Sequence, residues 1–143
     1  MRPTVALSKL VPELYCSDFN RSLAFYTQQL GFQILYQRPE DKFAYLSREG
    51  AEVMIEELGV GRNWITAELK PPFGRGMNLQ IAVSDVVKLY NSLQNSGVAF
   101  FLPLEEKWYR RDDVFVGNHQ FIVQDPDGYL LRFAQDLGSR SHS

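Results

Sequence analysis

Two stretches decide the fold: LVPELYCSDFNRSLAFYTQQLGFQIL at residues 10–35 and MNLQIAVSDVVKLYNSLQNSGVAFFL at residues 77–102. Each opens on an apolar run, meets a Ser-Asp pair (Ser17-Asp18 and Ser84-Asp85), continues with helical spacing, and ends on a glycine (Gly31 and Gly97) followed by a second apolar run. The Ser-Asp pairs stand 67 positions apart, so the chain of 143 residues reads as an internal repeat. Ser and Asp accept hydrogen bonds from the unpaired amides of a helix's first turn, and glycine adopts the left-handed conformation that ends one. Phe19, Leu23, Tyr26 and Leu30 form one apolar stripe, and Val86, Leu89, Tyr90 and Leu93 form another. Two short helices are predicted, each packing one face inward.

Working outward, each helix is followed by short runs dense in β-branched and aromatic residues: 32–37, 42–47 and 52–57 in the first copy, 98–102, 120–124 and 129–133 in the second. Arg38-Pro39-Glu40-Asp41 predicts one turn. Asp125-Pro126-Asp127-Gly128 predicts a hairpin turn of type I chemistry. Residues 58–76, with Pro71-Pro72 and an apolar patch around Trp64, read as the connection between copies. The expected architecture is α+β: two βαβββ modules, about 8–58 and 77–136, with a frayed polar tail at 138–143.

Composition narrows the functional classes. The chain is 45% hydrophobic and 22% charged, as in folded domains, and its formal charge of -2 supplies no field to hold a polyanion. Arg110-Arg111 beside Asp112-Asp113 is a balanced loop tip, Arg21 and Lys88 lie on polar helix faces, and no nucleic-acid role is expected. The N-terminal stretch lacks the long apolar run of a signal peptide or membrane span. Cys16 is the only cysteine, which excludes an internal disulfide and points to a cytoplasmic setting. Of two histidines, His142 lies in the tail and His119 in a strand-like run without a nucleophile elbow, so hydrolase chemistry is set aside.

Ser17-Asp18 with Ser22-Leu23-Ala24-Phe25-Tyr26 and Leu30-Gly31-Phe32, together with the closing Asp125-Pro126-Asp127-Gly128-Tyr129-Leu130-Leu131-Arg132-Phe133, resemble the vicinal oxygen chelate superfamily of glyoxalases, extradiol dioxygenases and bleomycin-resistance proteins. The resemblance covers roughly residues 9 to 136 and implies curved sheets that wrap a cavity, usually completed in a homodimer. In the metalloenzymes it implies ligands on the first strand of each module and a Glu on the last strand. Those places hold Val11, Asn78 and Arg132 here. Valine offers no donor, asparagine is a weak neutral ligand, and arginine repels a divalent ion, so no metal or other cofactor is expected. The bleomycin-resistance branch, whose ending also carries Arg, implies sequestration without turnover.

The candidate contacts follow. Carrying that branch over residue by residue gives Tyr36 and Phe43, with a further aromatic place near 116–117 for which the chain offers Phe115 or Trp108. Trp64, Trp108 and Tyr109 fall outside clear strand patterns, where loop aromatics serve as flat anchors or pack over sheet ends. Glu52 and Glu56 alternate along one strand and either face solvent or, for Glu56 with Glu13 in reach, the interior; there they need a cationic guest or a counter-charge such as Arg132. The favoured reading is a dimeric, metal-independent protein that binds bleomycin-like planar cationic antibiotics. A lyase, isomerase or dioxygenase using Glu13, Gln80, Glu56 or another nonstandard set is the alternative, and a general small-molecule carrier or regulator the third reading.

Overall fold

The structure, a computed structural model, describes residues 8–141. It divides into two compact units between Phe73 and Gly74, inside the expected connection. In the first unit β1 (Glu13–Cys16) is followed by α1 (Phe19–Ala24), which runs on through a π-helical turn at Phe25–Gln29, and then by β2 (Gln33–Arg38), β3 (Phe43–Arg48) and β4 (Ala51–Glu57). The second unit repeats the order with β5 (Asn78–Ala82), α2 (Val86–Asn95), β6 (Phe100–Arg111), β7 (Val114–Gln124) and β8 (Leu130–Ser141). The sheets are ordered β1-β4-β3-β2 and β5-β8-β7-β6, with β1 parallel to β4, β5 parallel to β8, and the remaining pairs antiparallel. Two βαβββ modules are therefore present.

The helix signals act as their chemistry requires. The Asp18 carboxylate accepts from the Arg21 amide at 3.2 Å and Asp85 from that of Lys88 at 3.0 Å, each satisfying a first-turn donor. Gly31 (φ +80°) and Gly97 (φ +77°) take the left-handed conformation after each helix. Phe19, Tyr26 and Leu30 of the first stripe are buried against the β-sheet face that carries Leu14, Leu46, Val53 and Ile55. Val86, Leu89 and Leu93 are buried in the second unit, where Tyr90 packs on Phe100 and Phe121 with ring centroids at 4.4 and 5.3 Å. Burying one stripe per helix removes apolar surface from water and holds each helix on its sheet.

Three local expectations are corrected. Trp108 and Tyr109, read as outside strand patterns, and Arg110-Arg111, read as a loop tip, belong to β6. Pro103 is tolerated because β6 is an edge strand whose register to β7 shifts twice between Phe100 and Glu105, so its missing amide leaves no ladder bond broken. The tail read as frayed from 138 continues β8 through Ser141, paired with Val114 at its far end; polar composition did not prevent pairing along a hairpin that long. His142 lies outside the described residues. The strand at 98–102 starts at Phe100 and extends to Arg111.

Candidate functional site

In each sheet the face opposite the helix is concave and lined by chemistry-bearing side chains. In the first unit strict alternation places Leu14 and Cys16 of β1 under the helix and Glu13 and Tyr15 on the other face, where register sets them beside Met54 and Glu56 of β4. From β3, Phe43 lies opposite Glu56 and Tyr45 opposite Met54. β2 contributes through a bulge: Ile34 pairs Leu46 but Tyr36, not Leu35, pairs Tyr45. The extra residue turns Tyr36 and then Arg38 onto the concave face.

An aromatic row results. Tyr36 stacks on Tyr45 at 5.1 Å between centroids and 18° between planes, and meets Phe43 at 5.9 Å. The Arg38 guanidinium caps Phe43 at 4.0 Å from its centroid and pairs with Asp41 at 3.1 Å. The irregular segment after β4 is pinned by Tyr15, whose hydroxyl donates to the Arg62 carbonyl at 2.6 Å and accepts from the Trp64 amide at 3.0 Å. Trp64 stands 71% exposed at the rim, with the Arg62 guanidinium 5.6 Å from its ring. These elements enclose a cavity of about 530 Å³.

Its electrostatics centre on Glu56. That residue is only 9% exposed and has no hydrogen-bond partner among the described residues. Burial first, then the nearby Glu13 carboxylate and Asp41, hold its carboxyl above the ordinary range, with Arg38 opposing them. Gly61 lies so close that a Cβ there would sit 2.3 Å from Glu56 Oε1. The neighbouring acids behave oppositely. Hydrogen bonds from the Ser8 amide and the Tyr45 hydroxyl (2.6 Å) hold Glu52 below the ordinary range. The Phe19 amide and Lys42 Nζ, both at 3.0 Å, do so for Glu57.

The second unit has its own concavity of about 480 Å³. Asn78 of β5 and Arg132 of β8 share it with Tyr109 and Lys107 of β6 and with Gln120 of β7, among apolar walls that include Phe101 and Leu102. Gln120 is buried and donates to the Tyr109 hydroxyl at 2.7 Å.

The predicted contacts thus fall into three places. Tyr36, Phe43, Glu56 and Trp64 meet in the first cavity, and Tyr109 and Arg132 in the second. Trp108 and Phe115 lie on the face of the β6–β7 hairpin opposite Tyr109: Trp108 sits over Gly117, within 2.8 Å of where a Cβ would be, under the Arg140 guanidinium at 4.1 Å. Of the acids and amides named for a nonstandard metal set, Glu13 and Glu56 belong to the first unit, Asn78 and Gln80 to the second. Among the described residues no cluster of three or more His, Cys, Asp or Glu is placed to hold a metal ion. Sequence reasoning passed over Tyr15, Arg38 and Gly61. Alternation from Glu13 signals Tyr15, whereas nothing local signals the other two.

Residues 7–133 match the Glyoxalase/Bleomycin resistance protein/Dioxygenase superfamily, and the chain belongs to that superfamily. A bleomycin resistance protein of Geobacillus stearothermophilus is 25% identical over 138 residues, covering 90% of this chain and 97% of its own. Among solved structures, TioX from Micromonospora sp. ML1 is 25% identical with a TM-score of 0.67, covering 91% of this chain and 99% of its own. A protein of unknown function from Agrobacterium tumefaciens is 26% identical with a TM-score of 0.68, covering 94% and 98%. Among the described residues, no helix is long and apolar enough to cross a membrane.

Proposed function

We propose that the first cavity captures a planar, cationic organic molecule of the bleomycin type, and that the protein acts by holding its guest rather than transforming it. The observation that carries this reading is Glu56: a residue only 9% exposed whose carboxyl opens onto the cavity without a hydrogen-bond partner among the described residues, beside a stacked row of aromatic rings. Desolvation and the neighbouring acids disfavour its charged form, and a guest cation in the cavity offsets both. Tyr36 and Trp64, 42% and 71% exposed, offer flat faces for a heteroaromatic ring at little entropic cost. The curated bleomycin resistance relatives support the same ligand class. Homodimer formation and a cytoplasmic setting, where the buried Cys16 stays reduced, belong to the same proposal.

Calorimetry with bleomycin or phleomycin tests it. Saturable binding at micromolar drug is expected, unchanged after chelator treatment and without any product. Tyr36→Ala should weaken capture by about 2 kcal/mol, roughly 30-fold, as at an interface hot spot. Phe43 is almost fully buried, so Phe43→Leu, which removes the ring but leaves a smaller cavity than Ala would, is the better second variant. Absence of heat from folded protein refutes these drugs as the guest.

A further inference from the structure

We propose that Tyr15 is a positioning residue for capture: its hydroxyl latches residues 58–64 as a strap over Glu56, and unlatching sets how fast a guest leaves. The part about the guest rests on the capture reading above, whereas the latch rests on the first unit alone. Tyr15 of β1 and Glu56 of β4 are paired across two parallel strands, so their side chains rise side by side from the concave face. After β4 the chain turns back over that face: the Leu58 amide donates to the Cys16 carbonyl at 2.9 Å and the Val60 amide to that of Glu57 at 3.5 Å. The returning stretch then meets both side chains in succession. Gly61 lies against the Glu56 carboxyl, and Arg62 and Trp64 bracket the Tyr15 hydroxyl, which donates to the Arg62 carbonyl at 2.6 Å and accepts from the Trp64 amide at 3.0 Å.

Burial explains why one hydroxyl can hold the strap. Residues 59–64 are all exposed, so none of them anchors the stretch by sinking an apolar side chain into the core. Tyr15 itself is 6% exposed and fixed in the sheet, a rigid post that satisfies one acceptor and one donor of the strap with a single oxygen. A further bond, from the Gly59 amide to Asn63 Oδ1 at 3.0 Å, folds the strap on itself. While the strap is down it keeps water from the Glu56 carboxyl and holds Trp64 at the rim of the cavity. A hydrated carboxylate attracts a cation less strongly than a desolvated one, so lifting the strap weakens the hold on a guest and opens its way out. Because burial is the first cause holding the Glu56 carboxyl above the ordinary range, opening also has a titration signature.

The test compares the full chain with Tyr15→Phe, which keeps the ring and removes the latch, by amide hydrogen exchange, by NMR titration of the Glu56 carboxyl and by stopped-flow dissociation of bleomycin. The Gly59 amide, bonded to Asn63 within the strap, should exchange at least tenfold faster in the variant. The Glu56 titration should move down toward the ordinary carboxylate range, and bleomycin should leave at least tenfold faster. Asp125→Ala, a destabilised variant in the second unit, should move none of the three, which separates a latch from a loss of overall stability. Should Tyr15→Phe not fold, Gly61→Ala on the exposed strap takes its place. Its added carbon would collide with Glu56 Oε1, so strap or carboxyl must give way, and the titration and the drug's departure should change in the same directions. Unchanged Gly59 exchange or an unchanged Glu56 titration in folded Tyr15→Phe would overturn the latch, as would matching changes in Asp125→Ala. Bleomycin leaving at the wild-type rate would overturn its control of release. Wild-type protein that binds no drug, while the variant shows both drug-free changes, supports the latch and refutes the drug as guest.

Discussion

Glu56 shows how one residue sets stability against binding. Because its folded pKa lies above the unfolded value, the protein is penalised as the carboxyl ionises: the penalty is absent below the unfolded pKa of about 4.5 and complete once pH has risen through the folded one. Glu56→Gln is therefore expected to raise the melting temperature at pH 7, to leave it little changed at pH 4, and to weaken bleomycin capture at least tenfold. A variant that is less stable at pH 7 would show that the carboxylate has a partner. Binding a cation should also pull the Glu56 pKa down, so proton release should appear as a buffer-dependent calorimetric heat. Glu52 and Glu57 have the opposite sign. Their lowered pKa values contribute stability that is present above about pH 4.5 and is lost as pH falls through the folded values. Tyr45, itself pushed up to about 12 by burial and by Glu52, is one source of that effect. Tyr45→Phe should cost about 1 kcal/mol at pH 7 and move the onset of acid unfolding upward, measured by denaturant melts across pH 3–7.

At the scale of elements, the β7–β8 turn and the β2 bulge do different work. The Asp125 carboxylate accepts from the amides of Asp127, Gly128 and Tyr129 at 2.9, 3.0 and 3.0 Å, closing the turn with one buried side chain. Asp125→Ala leaves those donors without that acceptor and should destabilise the protein by about 2 kcal/mol in urea unfolding. Its Pro-Asp-Gly surroundings were legible because turn chemistry is local. The bulge was not legible. Nothing in Gln33-Ile34-Leu35-Tyr36 says that Leu35 is the extra residue, yet that slip of one decides whether Tyr36 or Leu35 faces Tyr45. The same holds on β6, where two register shifts decide that Tyr109 shares a cavity with Arg132 while Trp108 faces Arg140 on the other side.

For the whole molecule, duplication yields two units with one plan and contrasting concave faces. The first is aromatic and acidic, the second donor-rich around Arg132. Each sheet also leaves two edge strands, β1 and β2 in one, β5 and β6 in the other, that make no further pairing within their sheet. Unpaired edges favour association, so a homodimer is expected at micromolar concentration. Sedimentation equilibrium giving the 16.5 kDa mass of one chain would reject it.

The repeat, the two helices with their Asp caps and glycine ends, the strand-rich segments and the Asp125 turn could be read from residue order alone, because each depends on interactions between residues a few positions apart. Membership in the superfamily was readable for the same reason, from the short motifs around Leu30-Gly31-Phe32 and Asp125-Gly128. Which side chains share a cavity depended on long-range pairing. That choice rests on strand register and bulges, which are settled by pairing between distant segments, and it is there that Glu56 met the aromatic row and Arg132 was left without an acceptor.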